Sequence, residues 1–449
     1  MLSDTRDVQL LAPEPSPTLP APLPAPAPVP APTPAPAPVG RVPERIRVPA
    51  ADGFRAFAAI TVLLYHCMYG AGLPPLGSDL LRNYLLAGFV GVDFFLVLSG
   101  FLLFLPVAAA RGRFGDVRSY ALRRVTRILP AYYVALVATV GLLLFLSRTR
   151  AYGLTRHNIA LNLLLHATFL QHSVGAALGL PEGFGINGAV WTLSIEALFY
   201  AILPLVAVGF FRRPVIGLGL GLGIAAAWRL AVAHSTLHVA SLPGVATPAA
   251  TRLILITQFP SFAGHFALGM MAAWLFVKMR RSRFAGSPWT VVLQVLGLSG
   301  IILSMELLGH RDLAKTASPL DHWSTTTPLA LSFAVLLLAT ALAPRWAQWP
   351  VANPVARHLG DISYGIYLSH LLFVELALTS LHFFPAGNLV AFLRMVGFVA
   401  TGSLLVGWAS FVWVERPLMR WARRRSGRGQ ERIARRRAKG DQPPSRAAP

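Results

Sequence analysis

The stretch YLLAGFVGVDFFLVLSGFLLFLP, residues 84–106, contains one charged side chain, that of Asp93, in 23 positions. An apolar α-helix of about 20 residues is long enough to cross the hydrocarbon core of a bilayer. The stretch therefore predicts a membrane span, and the chain has nine other apolar runs of similar length. We place these at approximately residues 54–70, 131–147, 193–211, 214–233, 253–277, 288–308, 326–343, 364–384 and 389–413.

The composition of the 449-residue chain excludes two common classes of protein. It is 55% hydrophobic and only 13% charged, and a soluble enzyme with so few polar side chains could not cover its surface with them. The formal net charge of +22 is typical of a nucleic-acid-binding protein, but such proteins carry basic residues on a polar scaffold. We expect instead an all-α, polytopic transmembrane helical bundle of about ten spans in the cell membrane, with lipid around it and no nucleic-acid partner.

Three segments differ from these spans. Residues 1–47 are rich in Pro and Ala, which favours a disordered, extended spacer and leaves open a docking site for a proline-binding partner. Residues 418–449 are polar and basic, so we expect a disordered cytoplasmic tail there and a transmembrane domain over 48–417. The apolar run at 158–171 has only 14 residues, which favours a re-entrant or interfacial segment over a span.

The Lys and Arg residues predict which side of the membrane each terminus faces, because short loops rich in these residues stay in the cytoplasm. With ten spans and a cytoplasmic N-terminus, 30 of the 40 Lys and Arg residues fall on the cytoplasmic side. An eleventh span at 158–171 would place the 12 basic residues from Arg416 onward outside. The charges therefore favour ten spans with both termini in the cytoplasm.

The first span carries two ionisable side chains, Arg55 and His66, eleven residues apart. On an α-helix this spacing leaves them about 20° apart around the axis and about 16 Å apart along it. An ionisable group inside a span is costly to place there and is therefore a functional candidate. For His66 the alternative is a hydrogen bond to a backbone carbonyl of a neighbouring helix.

Asp93 lies near the middle of the second span, at a depth that His66 could share. A carboxylate bound to an imidazole fixes the tautomer of the ring and raises its basicity. We therefore predict that Asp93 pairs with His66. A structural hydrogen bond between two helices is equally compatible with the spacing.

The segment RSYALRRVTRILP, residues 118–130, predicts a short helix that ends or kinks at Pro130. Arg124 and Arg127 are three residues apart and share one face of this helix. Arginine can bind a phosphate through two parallel hydrogen bonds, so the pair is a candidate polyphosphate site. Contact with anionic lipid head groups explains the same spacing equally well.

Two later segments carry further polar side chains. Thr192 could cap the fourth span, and Glu196 in its first turn would then be stabilised by the helix dipole, a role that is only structural. In the ninth span Ser363, Tyr367 and His370 fall on one stripe of the helix. A second histidine near mid-depth favours a polar cavity in the bundle, and hydrogen bonds between helices are the alternative.

Six short strings occur in order along the chain, namely DGFRA (52–56) with His66, GVDFFLVLSGFL (91–102), RRVTRILPAY (123–132), WTLSIEALFY (191–200), SYGIYLSH (363–370) and VERP (414–417). Together they resemble the acyltransferase 3 family of integral membrane acyltransferases, over roughly residues 50–417. That resemblance implies a protein that moves acyl groups, commonly acetyl, onto sugars and related acceptors. The family's usual W-S-L-S-V-E-E string appears here with Thr192, Ile195 and Ala197, so a second acid after Glu196 has no support.

The resemblance also implies an acyl-CoA donor, with acetyl-CoA the usual one, which enters from the cytoplasm as a co-substrate. The matching arginines, Arg55, Arg124 and Arg127, would then bind its phosphates. No metal and no tightly bound cofactor is expected.

His66 is the residue that the resemblance places at the chemistry, and Asp93 and Glu196 are further catalytic candidates. His66 would act as a general base on the acceptor or would accept the acyl group itself. The residues that we expect in the substrate pocket are Trp191, Ser194, Tyr364, Tyr367 and His370.

The expected function is therefore O-acyl transfer from acyl-CoA to a hydroxyl group of a sugar-containing acceptor. The acceptor could be a cell-envelope glycan, an exopolysaccharide, a glycolipid or a glycosylated metabolite. A carrier that flips a lipid-linked or glycosylated substrate, with its intramembrane His and Asp residues as a proton relay, is the alternative. A membrane anchor that recruits partners through the proline-rich segment is a third possibility.

Overall fold

The computed structural model describes residues 46–148, 158–178, 186–235, 248–310, 319–383 and 386–425. Every regular element within these residues is a helix, which confirms the predicted all-α fold. The predicted disordered spacer at 1–47 lies almost entirely outside the described residues, and so does the basic tail beyond residue 425.

Ten helices in the described part of the chain are long and apolar enough to cross a membrane, so the protein is a multi-pass membrane protein. Ten spans return the chain to the end of the bundle where it began, and the assignment of that end to the cytoplasm stays a prediction. In chain order the helices are α1 (Pro49–Ala71), α2 (Asp79–Leu86), α3 (Gly91–Ala109), α4 (Val117–Phe145), α5 (Ile159–Ala167), α6 (Ser173–Ala177), α7 (Trp191–Arg212), α8 (Pro214–Ser235), α9 (Pro248–Ile256), α10 (Ala263–Met279), α11 (Pro288–His310), α12 (Pro319–Leu342), α13 (Arg345–Ala352), α14 (Pro354–Thr379) and α15 (Leu389–Ser410).

Five of these helices, α2, α5, α6, α9 and α13, are too short to cross a membrane. The predicted re-entrant or interfacial segment at 158–171 contains α5, which has nine residues. It is not among the spans, as the length of the apolar run indicated.

The third span begins earlier than predicted. α4 begins at Val117, where the Asp116 carboxylate accepts a hydrogen bond from the Ser119 amide and caps the helix. The helix then continues through Pro130, so the prediction that it ends there is wrong. A proline removes only one backbone donor, and the 29-residue helix has regular turns on both sides of it. The arginine-rich segment is therefore part of a span-length helix.

The last span also extends further than predicted. A π-helical turn, Phe411–Glu415, follows α15, and the chain is helical from there to Arg425, the last described residue. The prediction of a disordered tail from residue 418 is therefore wrong for residues 418–425. Ala422 is 1% exposed, so this segment packs against the bundle, which explains why its basic composition does not leave it unfolded.

α3 lies at the centre of the bundle and packs closely against α10. Gly100 of α3 faces the backbone of Phe266, and Gly269 of α10 faces the backbone carbonyl of Val97. A Cβ atom at either glycine would collide with the opposite backbone. Small residues allow membrane helices to approach in this way, so the two glycines bring α3 and α10 together.

α1 and α14 lie side by side and run in the same direction. Gly360 of α14 packs against the backbone carbonyl of Asp52 near the start of α1, and His370 lies beside His66 further along both helices. We call the end of the bundle near Arg55 the arginine end and the end near His66 the histidine end.

Candidate functional site

A cavity of about 830 Å³, including space open to solvent, is lined by residues of α1, α3, α4, α7 and α14. We call it the arginine cavity. Apolar cavities into which a few polar groups converge are typical binding sites. The polar side chains that line this one are Arg55, Ser99, Arg124, Arg127, Thr192, Glu196, Tyr200, Ser363, Tyr364 and Tyr367.

The three arginines predicted to act together all line this cavity. Arg55 Nη1 forms an ion pair with Asp52 Oδ1 at 3.2 Å. Among the described residues, neither Arg124 nor Arg127 has a carboxylate within ion-pair distance, and the buried Arg124 Nε has no hydrogen-bond partner there. Two of the three positive charges are therefore not neutralised by a direct partner in the described structure, as a site for an anion requires.

Glu196 faces the same cavity and accepts a hydrogen bond from the Ser99 hydroxyl of α3. Hydroxyl groups in membrane helices commonly donate to a carbonyl one turn back in the same helix, as Thr126 and Thr139 do. Ser99 instead donates to a carboxylate on another span. Glu196 is thus part of a polar pair inside the cavity, and its partner belongs to another span.

Phe95, Thr192 and Tyr367 line the cavity on the side of the histidine end, and we call these three side chains the ceiling. Thr192 does not cap α7 as predicted, because the helix already begins at Trp191. Its hydroxyl lies 2.8 Å from Tyr367 Oη, and Tyr367 Oη donates to the carbonyl of Ala189 at 2.7 Å. The Phe95 ring packs edge-on against the Tyr367 ring at 5.6 Å between centroids.

His66 and His370 form a pair that does not line the arginine cavity. The Nε2 atom of His370 lies 3.2 Å from Nδ1 of His66. His66 Nδ1 is also 2.9 Å from the carbonyl of Val62, and His370 Nδ1 is 2.8 Å from the carbonyl of Tyr367. Tyr367 therefore contacts both the arginine cavity and the histidine pair. Its hydroxyl group belongs to the ceiling, and its carbonyl accepts a hydrogen bond from His370.

The predicted pairing of Asp93 with His66 is wrong. Asp93 Oδ1 accepts a hydrogen bond from His265 Nε2 of α10 at 2.7 Å, and both side chains are buried. The reason is the rotation of α3 about its axis. The cavity-lining positions Val92 and Ser99 lie within about 20° of each other on the helix, whereas Asp93 is about 100° away from Val92, toward α10.

Of the five residues expected in the substrate pocket, Tyr364 and Tyr367 line the arginine cavity, and Trp191, Ser194 and His370 do not. The Trp191 ring packs against the His172 ring at 5.2 Å between centroids. Ser194 is buried. Both belong to α7 but lie on faces turned away from the side that lines the cavity.

A family profile described as an acyltransferase domain, acyltransferase 3, matches residues 48–412. The chain belongs to the acyltransferase 3 family. The matched region includes nine complete spans and most of the tenth. All the side chains that line the arginine cavity, and both histidines of the His66–His370 pair, lie inside it.

Several named proteins are similar to this acyltransferase 3 chain. It is 25% identical to the peptidoglycan O-acetyltransferase OatA of Listeria monocytogenes over 391 residues, which make up 83% of this chain and 56% of that protein. The O-acetyltransferase OatA of Staphylococcus aureus is 23% identical over 83% of this chain and 57% of its own length. BcsY of Komagataeibacter xylinus, named as a membrane-bound transacylase, is 26% identical over 81% of each protein. The chain spans little more than half the length of the two OatA proteins, and no solved structure matches it.

Two residues of the acyltransferase 3 strings, Ser99 and Tyr200, line the arginine cavity although the sequence assigned no role to either. Ser99 could have been found by plotting α3 on a helical wheel, where it shares a face with Phe95. The sequence also gave no indication of His265, because a single histidine between apolar residues forms no recognisable motif. Among the described residues, no group of three or more His, Cys, Asp and Glu side chains is placed to hold a metal ion.

Proposed function

We propose that this protein moves an acyl group, in the simplest case acetyl, from cytoplasmic acyl-CoA to a hydroxyl group of a sugar-containing acceptor. The observation that carries the proposal is the arginine cavity, which three arginines line and which borders the histidine pair through Tyr367. Membership of the acyltransferase 3 family supports the reaction class. The donor, the acceptor and the residue roles below are parts of the proposal.

The arginine cavity suits the phosphates of CoA. Arg124 and Arg127 have no carboxylate at ion-pair distance in the described structure, so bound phosphates would supply the missing negative charge. Arg55 and His66 lie about 16 Å apart along α1, and the pantetheine arm of CoA is long and flexible. The phosphates can therefore stay at the arginines while the thioester extends toward His66. The arm has to pass the ceiling, so we expect Tyr367 to change its rotamer when the donor binds.

The chemical step needs a base for the acceptor hydroxyl, and His66 is the candidate. His66 takes the hydroxyl proton while the acceptor oxygen attacks the thioester carbonyl carbon. The carbon–sulfur bond then breaks, and the CoA thiolate takes the proton back from His66. Such general base catalysis typically contributes about 10²- to 10⁴-fold in rate.

The two carboxylates that the sequence nominated for catalysis have different places in this scheme. Glu196 lies in the arginine cavity with Ser99, so we assign it to holding the donor. Asp93 is occupied by His265 on another face of α3, and we give it no step in the transfer.

The acceptor is proposed from the relatives. Two of them are named O-acetyltransferases, and the name of one specifies peptidoglycan. A hydroxyl group of a cell-envelope glycan is therefore the first candidate, with exopolysaccharide, glycolipid and glycosylated metabolites as further ones. We expect the acceptor to approach from the histidine end, because the donor occupies the arginine cavity.

Transfer can be measured with the purified full chain in lipid vesicles supplied with radiolabelled acetyl-CoA. Peptidoglycan fragments, an exopolysaccharide, a glycolipid and a glycosylated metabolite serve as acceptors. We expect label to appear in one of them as an alkali-labile ester, and to be absent with the His66→Ala variant. Movement of an unmodified glycolipid across the vesicle membrane, with no acylated product, would contradict the proposal and favour the carrier.

A further inference from the structure

The His66–His370 pair contains enough hydrogen bonds to locate its protons. His370 Nδ1 lies 2.8 Å from the carbonyl of Tyr367. A carbonyl oxygen only accepts, so this nitrogen carries a proton. In the neutral ring the other nitrogen, Nε2, then carries a lone pair. His370 is therefore an acceptor at the atom that faces His66.

The contacts of His66 lead independently to the same arrangement. His66 Nδ1 lies 2.9 Å from the carbonyl of Val62 and 3.2 Å from Nε2 of His370. The Val62 oxygen requires a proton on Nδ1, and this one proton is then shared with the lone pair of His370 Nε2. In a neutral His66 ring the lone pair is therefore on Nε2. No described residue makes a hydrogen bond to this Nε2 atom, which leaves it available to an acceptor hydroxyl.

We propose that His370 is a positioning residue for His66, the role that the sequence assigned to Asp93. His370 accepts the Nδ1 proton together with the Val62 carbonyl, and by doing so it holds the orientation of the His66 ring and reinforces the tautomer with the basic nitrogen at Nε2. The inference rests on the proposed acyl transfer. A base bound to a second group that fixes its tautomer is a recurring arrangement in acyl transfer, and here that group is a neutral imidazole.

The proton balance of the step is simple. When the acceptor hydroxyl gives its proton to His66 Nε2, His66 becomes an imidazolium whose Nδ1 proton remains bonded to His370 Nε2. When the leaving CoA thiolate removes the Nε2 proton, both rings are neutral again. His370 therefore shares the transient positive charge through one hydrogen bond, and it contacts neither the donor nor the acceptor.

Two substitutions of His370 separate an acceptor role from a packing role. The side-chain oxygen of His370→Gln can still accept the His66 proton, whereas His370→Leu fills similar space and cannot accept. We expect His370→Leu to lower kcat by about 10- to 100-fold, the size typical of removing the hydrogen-bond partner of a functional histidine. KM for acetyl-CoA should not change, and His370→Gln should recover most of the lost rate. His172→Leu removes another buried histidine of the bundle and serves as the matched control with wild-type kcat.

The outcomes distinguish this inference from the proposed function. A wild-type protein that acylates none of the acceptors contradicts the proposed function itself. A wild-type protein that is active, together with a fully active His370→Leu variant, overturns only the positioning role. Equal losses in His370→Leu and His370→Gln overturn it as well, because packing would then be the cause.

A second measurement does not depend on enzymatic activity. The ¹⁵N NMR spectrum of histidine-labelled wild-type protein in bilayers reports which ring nitrogens carry protons, and the spectrum of His66→Ala identifies the signals of His66. We expect a protonated Nδ1 and an unprotonated Nε2 in His66. The reverse assignment would overturn the proposal.

Discussion

Two polar pairs lie on different faces of α3, and they differ in what surrounds them. On one face Ser99 donates to Glu196, and both side chains line the arginine cavity. On another face Asp93 accepts from His265, and these side chains are only 5% and 3% exposed. Both pairs contain a carboxylate within a span, but only the first faces space that a ligand can enter. The two carboxylates therefore differ in access to a ligand although both lie within a span.

This contrast predicts that substitutions in the arginine cavity and at His66 change the kinetics of transfer. Substitutions of the buried Asp93–His265 pair should instead change stability. The largest expected effect is at His66. His66→Ala removes the proposed base and should lower kcat by about 10²- to 10⁴-fold, measured as acetyl transfer in vesicles. Cys67→Ala, at the neighbouring buried position, is the control and should keep its kcat. Near-normal kcat in His66→Ala would refute the role of His66.

The next largest effect is expected at the Asp93–His265 pair. Asp93→Ala leaves the buried His265 without its acceptor and should lower the free energy of unfolding by about 3–5 kcal/mol, as removing one partner of a buried pair does. Thermal unfolding in detergent measures the loss. The double variant with His265→Ala should lose less than the sum of the two single losses. A fall in kcat per folded molecule without any loss of stability would remove the distinction between the two faces.

A smaller effect is expected where the donor binds. Arg124→Ala removes a charged donor from the arginine cavity and should raise KM for acetyl-CoA by about 10- to 100-fold, from the 1.5–3 kcal/mol that a charged hydrogen bond is worth. The value of kcat at saturation should not change. Arg123→Ala removes the neighbouring arginine, which does not line the cavity. Equal effects of the two substitutions would indicate contact with lipid head groups instead.

The smallest effect is expected at Ser99. Ser99→Ala removes the hydrogen bond to Glu196 and frees that carboxylate to turn toward the arginines. A net loss of about 1 kcal/mol corresponds to a rise of about 5-fold in KM for acetyl-CoA. Ser363→Ala is the matched control, because Ser363 also lines the cavity but donates to the carbonyl of Gly360 in its own helix. An equal rise in both variants would contradict a specific role for the Ser99–Glu196 pair.

The sequence predicts well the number of spans and the spacing of side chains along one helix. The ten spans follow from the lengths of the apolar runs, and the grouping of Arg124 with Arg127 follows from their spacing on one helix. The separation of Arg55 from His66 along the axis is equally local, because each residue adds about 1.5 Å. These quantities need no knowledge of neighbouring helices.

Contacts between helices are harder to predict, as Asp93 shows. Its depth in the membrane was compatible with His66, but the rotation of α3 turns it toward α10 and His265. That rotation is set by the packing of Gly100 and Gly269 against opposite backbones, which one sequence does not reveal. The same holds for His370, whose partner became apparent only when α1 and α14 were placed side by side.

Gly360 determines how closely α14 approaches α1, and it does so at a place distant from the histidine pair. Gly360 lies ten residues before His370, about 15 Å along α14, and it never approaches the histidines. A methyl group there would collide with the Asp52 carbonyl and force α14 away from α1. Hydrogen bonds weaken over a few tenths of an ångström, so even a small separation would part the two imidazoles. The distance between His66 and His370 thus depends on a residue that has no side chain of its own.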